Sequence, residues 1–261
     1  MILLKHELKQ SRVSFTVWTA AIVFFICTCI FMFPEMKNQM NEVSEIFASM
    51  GSFSQAFGMD RLNFGTLIGF YSTECGNILG IGGAFFAALI GISSLAKEEK
   101  EHTAEFLLTH PIKRARIVSD KLLAVIIQII VMNIITFGVS AASVAAIGED
   151  IPLKELTLIH TAYLLMQLEI GCICFGISAF IRRGSIGIGL GFAAVMYFLN
   201  IISNISDSAE FLKYITPYGY TNGADIAADL KLDWVLILLG CVYAASAVIS
   251  GYIKYSKKDI V

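Results

Sequence analysis

Six stretches of this chain, residues 13–33, 71–96, 122–147, 156–181, 185–203 and 234–253, are long, apolar and free of Lys and Arg, so all 19 basic residues fall at the termini and in the connections. Hydrated cations avoid hydrocarbon, and about 20 apolar residues of helix cross its ~30 Å thickness. The pattern predicts an all-α polytopic membrane protein with six transmembrane helices. Composition agrees: only 15% of the residues are charged, against about 25% in soluble domains, too few to coat a globule in water. A net charge of −2 leaves no basic excess for phosphates, which argues against a nucleic-acid partner.

The distribution of basic residues orients the chain. The termini, residues 97–121 and the link carrying Arg182 and Arg183 hold 14 of them, and the alternate connections hold 5. The positive-inside bias then places both termini in the cytoplasm of a multi-pass protein of the cell membrane. Residues 1–12, with Leu3, Leu4 and Leu8 opposite Lys5, Lys9 and Arg12, read as a short interfacial helix. The external connection, residues 34–70, repeats Met36, Met40, Val43, Phe47 and Met50 at helical spacing and predicts an amphipathic helix over the outer leaflet or the bundle. Its methionines read as apolar filler rather than as a copper site. No internal repeat divides the chain, which is expected to form a single membrane domain over residues 1–261.

Small residues recur at contact spacing within the runs: Gly76, Gly80, Gly83, Ala87 and Gly91 in the second, Gly184, Gly187, Gly191 and Ala194 in the fifth, and Gly240, Ala244, Ala247 and Gly251 in the sixth. Lipid supplies no hydrophobic drive between helices, so such stripes are expected to be packing faces.

Catalytic patterns are missing. There is no Walker A motif, no His-Glu-x-x-His and no Gly-x-Ser-x-Gly, so this chain is expected to be neither an ATPase nor a membrane hydrolase. The cysteines lie within the apolar runs; Cys27 and Cys29, like Cys172 and Cys174, are two residues apart and point to different helix faces, and the histidines lack ligand spacing, so no metal site is expected. Two carboxylates do fall in apolar runs, Glu169 near the middle of the fourth and Glu74 near the outer end of the second. A charge at the bilayer centre costs about 2.5–3.5 kcal/mol. Glu169 is therefore expected to face the bundle interior, to be protonated, or to meet a polar partner such as Gln128, Asn133 or Asn200, as a path or gating residue or as a neutral link between helices. Glu74 is the second candidate for the substrate path.

Between the second and third runs, Thr103 to Thr109 read as a short amphipathic helix ended by Pro111. Phe106, Leu107 and Leu108 form an apolar knot at the membrane surface, and such a knot calls for a protein groove to cover it. This stretch resembles the first cytoplasmic loop of ABC-2 type ABC transporter permease subunits, Glu-x-x-Gly-Thr-x-Glu-x-Leu-Leu-x-x-Pro-Ile-x-Arg. Glu99, Thr103, Glu105, Leu107, Leu108, Pro111, Ile112 and Arg114 match it, followed by Ile117 and Lys121. His102 stands where the family usually has Gly. Tyr214 to Tyr218 also resembles the family's Thr/Ser-Pro-aromatic segment before the last span.

The resemblance implies a non-catalytic permease chain, its N-terminal helix the elbow helix and the matched stretch, with Phe106, the coupling helix that docks on a cytoplasmic ABC ATPase dimer. ATP and Mg would be bound by that partner, no cofactor by this chain, and a second permease copy or a paralogue would complete the path for export. Two other readings remain open on the residues alone: an ion-coupled secondary carrier with Glu169 and Glu74 as a proton relay, or a non-transporting scaffold or sensor assembled through the apolar knot.

Overall fold

Inside hydrocarbon every backbone N–H and C=O has to be paired within its own segment, and the six apolar runs meet that demand as helices. The computed structural model describes residues 2–56, 65–97, 113–181 and 186–257, with the backbone alone at residues 2, 38–49, 52 and 53. In chain order the helices are α1 (Ile2–Gln10), α2 (Arg12–Ser49), α3 (Ser52–Ala56), α4 (Leu67–Ser94), α5 (Arg114–Ala146), α6 (Leu153–Ser178), α7 (Ile186–Ile205), α8 (Gly223–Asp229) and α9 (Trp234–Lys257). Helices α2, α4, α5, α6, α7 and α9 are each long and apolar enough to cross a membrane. No strand occurs among the described residues.

The bundle keeps an apolar core but, unlike a soluble protein, also presents an apolar outer surface. Phe24, Phe198, Val235 and Leu238 are more than 60% exposed on its outer surface, whereas Thr136, Ser140 and Gln167 are fully buried. Lipid accepts the first set; of the second, Thr136 donates to the Asn133 carbonyl of its own helix, while Ser140 and Gln167 are met from other helices.

Helix α6 is the centre, packed most closely on α4 and α9. Contacts rise in register along all three: Gly80 meets Tyr163, Gly83 meets Gln167 and Gly91 meets Gly171 on one side, while Gly240 meets Glu169 and Gly251 meets Gly176 on the other. The three helices therefore run parallel. The stripes expected on α4 and α9 are the packing faces. The stripe expected on α7 is not: Gly191 has open space around it and Gly187 is exposed, while Gly189, one position off, meets the Ala88 carbonyl and Ile92. Gly184 lies outside the described residues.

Several boundaries differ from the sequence reading. The first span does not stop at Phe33; α2 continues through Pro34 to Ser49, so the stretch expected as a separate external helix prolongs it. Pro34 loses one hydrogen bond and is tolerated because its helix is otherwise intact. At the other end of the bundle α5 begins at Arg114, taking Arg114, Arg116 and Lys121 from the predicted connection into its first two turns. Between α7 and α9 the chain folds back on the bundle through a 3-10 helix, Asp207–Tyr214, and α8, burying Tyr218, Tyr220, Ile226 and Leu232.

Helix α4 carries two π-helical turns, Tyr71–Cys75 and Ile78–Gly82. A π turn widens the helix and leaves carbonyls without their ordinary donors. Both turns pack against α2; the first also meets α8 and the second α6.

Candidate functional site

At the end of the bundle rich in basic residues, the predicted docking residues Glu99, Thr103, Glu105, Phe106, Leu107, Leu108, Pro111 and Ile112 lie outside the described residues, as do His102 and His110. Both anchors of that stretch are described. Leu95 and Ala96, just after α4, are buried, and so are Ile117 and Val118 in the first two turns of α5. Arg114, the one docking candidate described, opens α5 and donates from Nη1 to the Ser256 carbonyl at 3.3 Å. Tyr252 donates to the Ala115 carbonyl and bonds the Ser119 hydroxyl, so α9 holds the same turn.

Lys121 organises this end. Its side chain is wholly buried, and Nζ donates at 2.9 Å to Glu7 Oε1 of α1 and at 2.9 Å to the Ser94 carbonyl that closes α4. A buried ammonium is tolerated only when paired and hydrogen-bonded. One cation thus ties the N-terminal helix to the two helices that flank residues 98–112.

The interior is crossed by polar contacts centred on α6. His160 bonds the Tyr71 hydroxyl at 2.7 Å, and Tyr71 donates onward to Ser140 Oγ at 2.8 Å. Deeper in, Asn133 Nδ2 donates to Gln167 Oε1 at 2.7 Å, and Gln167 Nε2 donates to the Leu79 carbonyl at 3.0 Å. Leu79 sits in the second π turn, and its carbonyl also accepts from the Gly83 N–H, so Gln167 adds a bond from α6 to a carbonyl the helix already engages.

Glu169 is buried on the other side of α6. Tyr220, from the segment that folds back, donates to its Oε2 at 2.8 Å. Burial pushes the Tyr220 phenol up, which keeps it the donor. Gly240 of α9 lies against the same oxygen, where a Cβ would come within 2.2 Å. The carboxyl therefore joins α6, the re-entrant segment and α9. Its partner is none of those expected: Gln128 donates to the Ala124 carbonyl, Asn133 serves Gln167, and Asn200 lines a cleft near the other end of α7. Glu74 lies elsewhere, half-buried in an apolar groove beside Trp18, Ile22 and Phe25 of α2. The two carboxylates face different helices.

That cleft opens at the end away from Lys121. Asn77, Tyr163, Tyr197, Asn200 and Tyr218 line its inner part, and it widens to about 390 Å³ among Gln55, Ser203, Asp207 and Asp225. Thr216, in the segment singled out before the last span, donates to the Met196 carbonyl at 2.8 Å and seats Tyr218 edge-on against Tyr197, ring centres 5.4 Å apart.

Residues 1–260 match the family described as ABC-2 family transporter protein. The chain belongs to that family. The same sequence matches no curated protein. As a member of the ABC-2 transporter family with six helices able to cross a membrane, it is a multi-pass permease chain, as the loop motif implied.

Several contacts of this ABC-2 permease escape a reading of the sequence alone. Tyr220 lies in a connection, with no periodicity to aim it at Glu169. Glu7 and Lys121 are 114 residues apart. His160, Asn133 and Gln167 did carry a signal, being among the strongly polar residues within apolar runs, but which of them pair depends on helix rotation.

Proposed function

We propose that this permease is the membrane half of an ATP-driven exporter of the cell membrane, moved by a separate cytoplasmic ABC ATPase dimer that binds the ATP and Mg. The chain itself is non-catalytic and holds no cofactor. In this reading both termini are cytoplasmic, residues 98–112 dock on the ATPase through Phe106, Leu107 and Leu108, and Glu99, Thr103, Glu105, Pro111, Ile112 and Arg114 shape the docking helix. A second copy of the chain or a paralogue completes the path.

The observation that carries the reading is the Lys121 contact. Any stroke delivered to residues 98–112 reaches α4 and α5 at their ends, and Lys121 makes those ends and α1 one body. Helix α4 is locked to α6 along its glycine face, so displacement passes to the centre of the bundle and through Glu169 to the re-entrant segment that borders the polar cleft. Packed interfaces of this kind switch between discrete arrangements rather than deform.

The test is docking itself. Leu107→Asp or Leu108→Asp should abolish co-purification of the cognate ATPase while the permease still inserts in the membrane. Undiminished co-purification with both variants removes the proposal.

A further inference from the structure

Helix α2 lies antiparallel along α4: Phe33 meets Phe70 ring to ring, Ile22 covers Gly82, and Trp18 reaches Phe86. Between the two helices runs a lateral groove of about 410 Å³, with the exposed residues Ala21 and Phe25 on its rim. Its polarity is graded along the helices. Glu74 and Asn77 line the end away from Lys121, and Ile78, Ile81, Ile22 and Trp18 continue it toward the middle of the bundle. The eight residues from Glu74 to Gly82 span about 12 Å at 1.5 Å each.

Carboxylates within membrane-crossing helices almost always face the bundle interior or pair with another group. Glu74 does neither. It is partly exposed in the groove and makes no hydrogen bond or ion pair among the described residues. No Lys or Arg occurs in the apolar runs of α2 and α4, and Lys37, further along α2, is held by Glu149. No described basic side chain therefore supplies a counter-charge. Glu74 also sits in the first π turn of α4, a kind of irregularity that recurs at functional sites.

A carboxylate in apolar surroundings is tolerated as an ion only when paired. We infer that the groove between α2 and α4 binds a single-chain amphiphile with a primary ammonium head, the ammonium on Glu74 and the chain running past Ile78 and Ile81 to Trp18. Charge selects the head. An anionic head would be repelled by Glu74, and a phospholipid would bring a phosphate that no described lining residue can neutralise. An uncharged head would leave the carboxylate unpaired. Volume selects the tail: at about 30 Å³ per water-sized group, the groove takes roughly fourteen such groups, an ammonium with a chain of about a dozen carbons. The grading matches one leaflet, with the polar end toward the headgroups and the apolar end toward the bilayer middle.

The test reads the position of the tail from tryptophan fluorescence. The chain has two tryptophans; Trp18 lines the groove, and Trp234, 70% exposed at the start of α9, is replaced by Phe. In phosphatidylcholine nanodiscs at neutral pH, ω-bromododecylamine should quench Trp18 saturably. The matching alcohol, ω-bromododecanol, should give only the shallow, non-saturating quenching of a probe dissolved in lipid. Glu74→Gln breaks no contact within the chain and should raise the amine concentration for half-effect by about tenfold. Ala21→Phe fills the groove from its exposed rim with Glu74 intact and should also remove saturation, which separates occupancy of the groove from attraction of amine to the protein surface. Equal quenching by amine and alcohol marks a groove filled by ordinary lipid, and quenching by neither marks one covered by a second copy of the chain. Undiminished saturation in Glu74→Gln or in Ala21→Phe marks a site elsewhere. Each of these overturns the inference, and none depends on an ATPase, so the result is separable from the proposed transport function.

Discussion

Glu169 has its two neighbours on one oxygen, and that makes them interdependent. Tyr220→Phe removes the donor and leaves a buried carboxyl oxygen unsatisfied, a loss of about 1–3 kcal/mol. Gly240→Ala places a methyl 2.2 Å from the same oxygen; the carboxyl is the far end of a flexible side chain, so it swings aside and abandons Tyr220. Both variants therefore break one contact. Thermal unfolding of the two single variants and the double should show a double-variant loss smaller than the sum, with a coupling of roughly 0.5–3 kcal/mol. Strict additivity would mean that Tyr220 and Gly240 act on Glu169 separately. If this contact also gates the path, Glu169→Gln and Glu169→Ala lose transport at normal expression; both intact would exclude that role.

Helix faces behave according to what a glycine meets rather than where it stands in a stripe. Gly91 of α4 lies against the Gly171 carbonyl, where a Cβ would come to 2.4 Å, with the Cys174 Cβ at 3.0 Å. Backbone cannot yield as a side-chain end can, so Gly91→Ala should part α4 from α6 and lower stability by about 1–3 kcal/mol. Gly191 of α7 has nothing within 4 Å, and Gly191→Ala should be neutral or stabilising by up to about 1 kcal/mol. Melting temperatures of the two variants check this; equal losses would sink it. The pair also marks how far the sequence was readable. Spans, small-residue faces on α4 and α9 and the burial of Glu169 followed from hydropathy and spacing, because a bilayer punishes exposed polarity wherever it occurs. The face of α7 did not, since Gly187, Gly189 and Gly191 stand at every second position and point to different sides, so spacing alone does not say which one packs. Nor did the π turns of α4 or the passage of α2 through Pro34.

For the whole molecule the proposed motion makes Lys121 a transmission part rather than a docking part. Lys121→Met leaves Glu7 without its partner and should lower stability by roughly 3–5 kcal/mol. Pairing it with Glu7→Met removes both charges and should restore most of that stability. In the double variant the ATPase should still co-purify while transport falls, because α1, α4 and α5 are no longer held by one group; normal transport would show that the stroke takes another route. The orientation has its own check. In a chain stripped of its six native cysteines, Thr103→Cys should resist a membrane-impermeant thiol reagent applied to intact cells, and labelling there would invert the topology. Helix α2 adds a geometric consequence. At about 1.5 Å per residue its 38 residues make a rod of about 57 Å, and at a tilt of about 20° it still rises some 54 Å, beyond the ~40–45 Å of lipid and headgroups together. In the proposed orientation its last turns should stand beyond the headgroups like a mast, so an antibody raised against the outer face should strike the mast before it reaches the surface below.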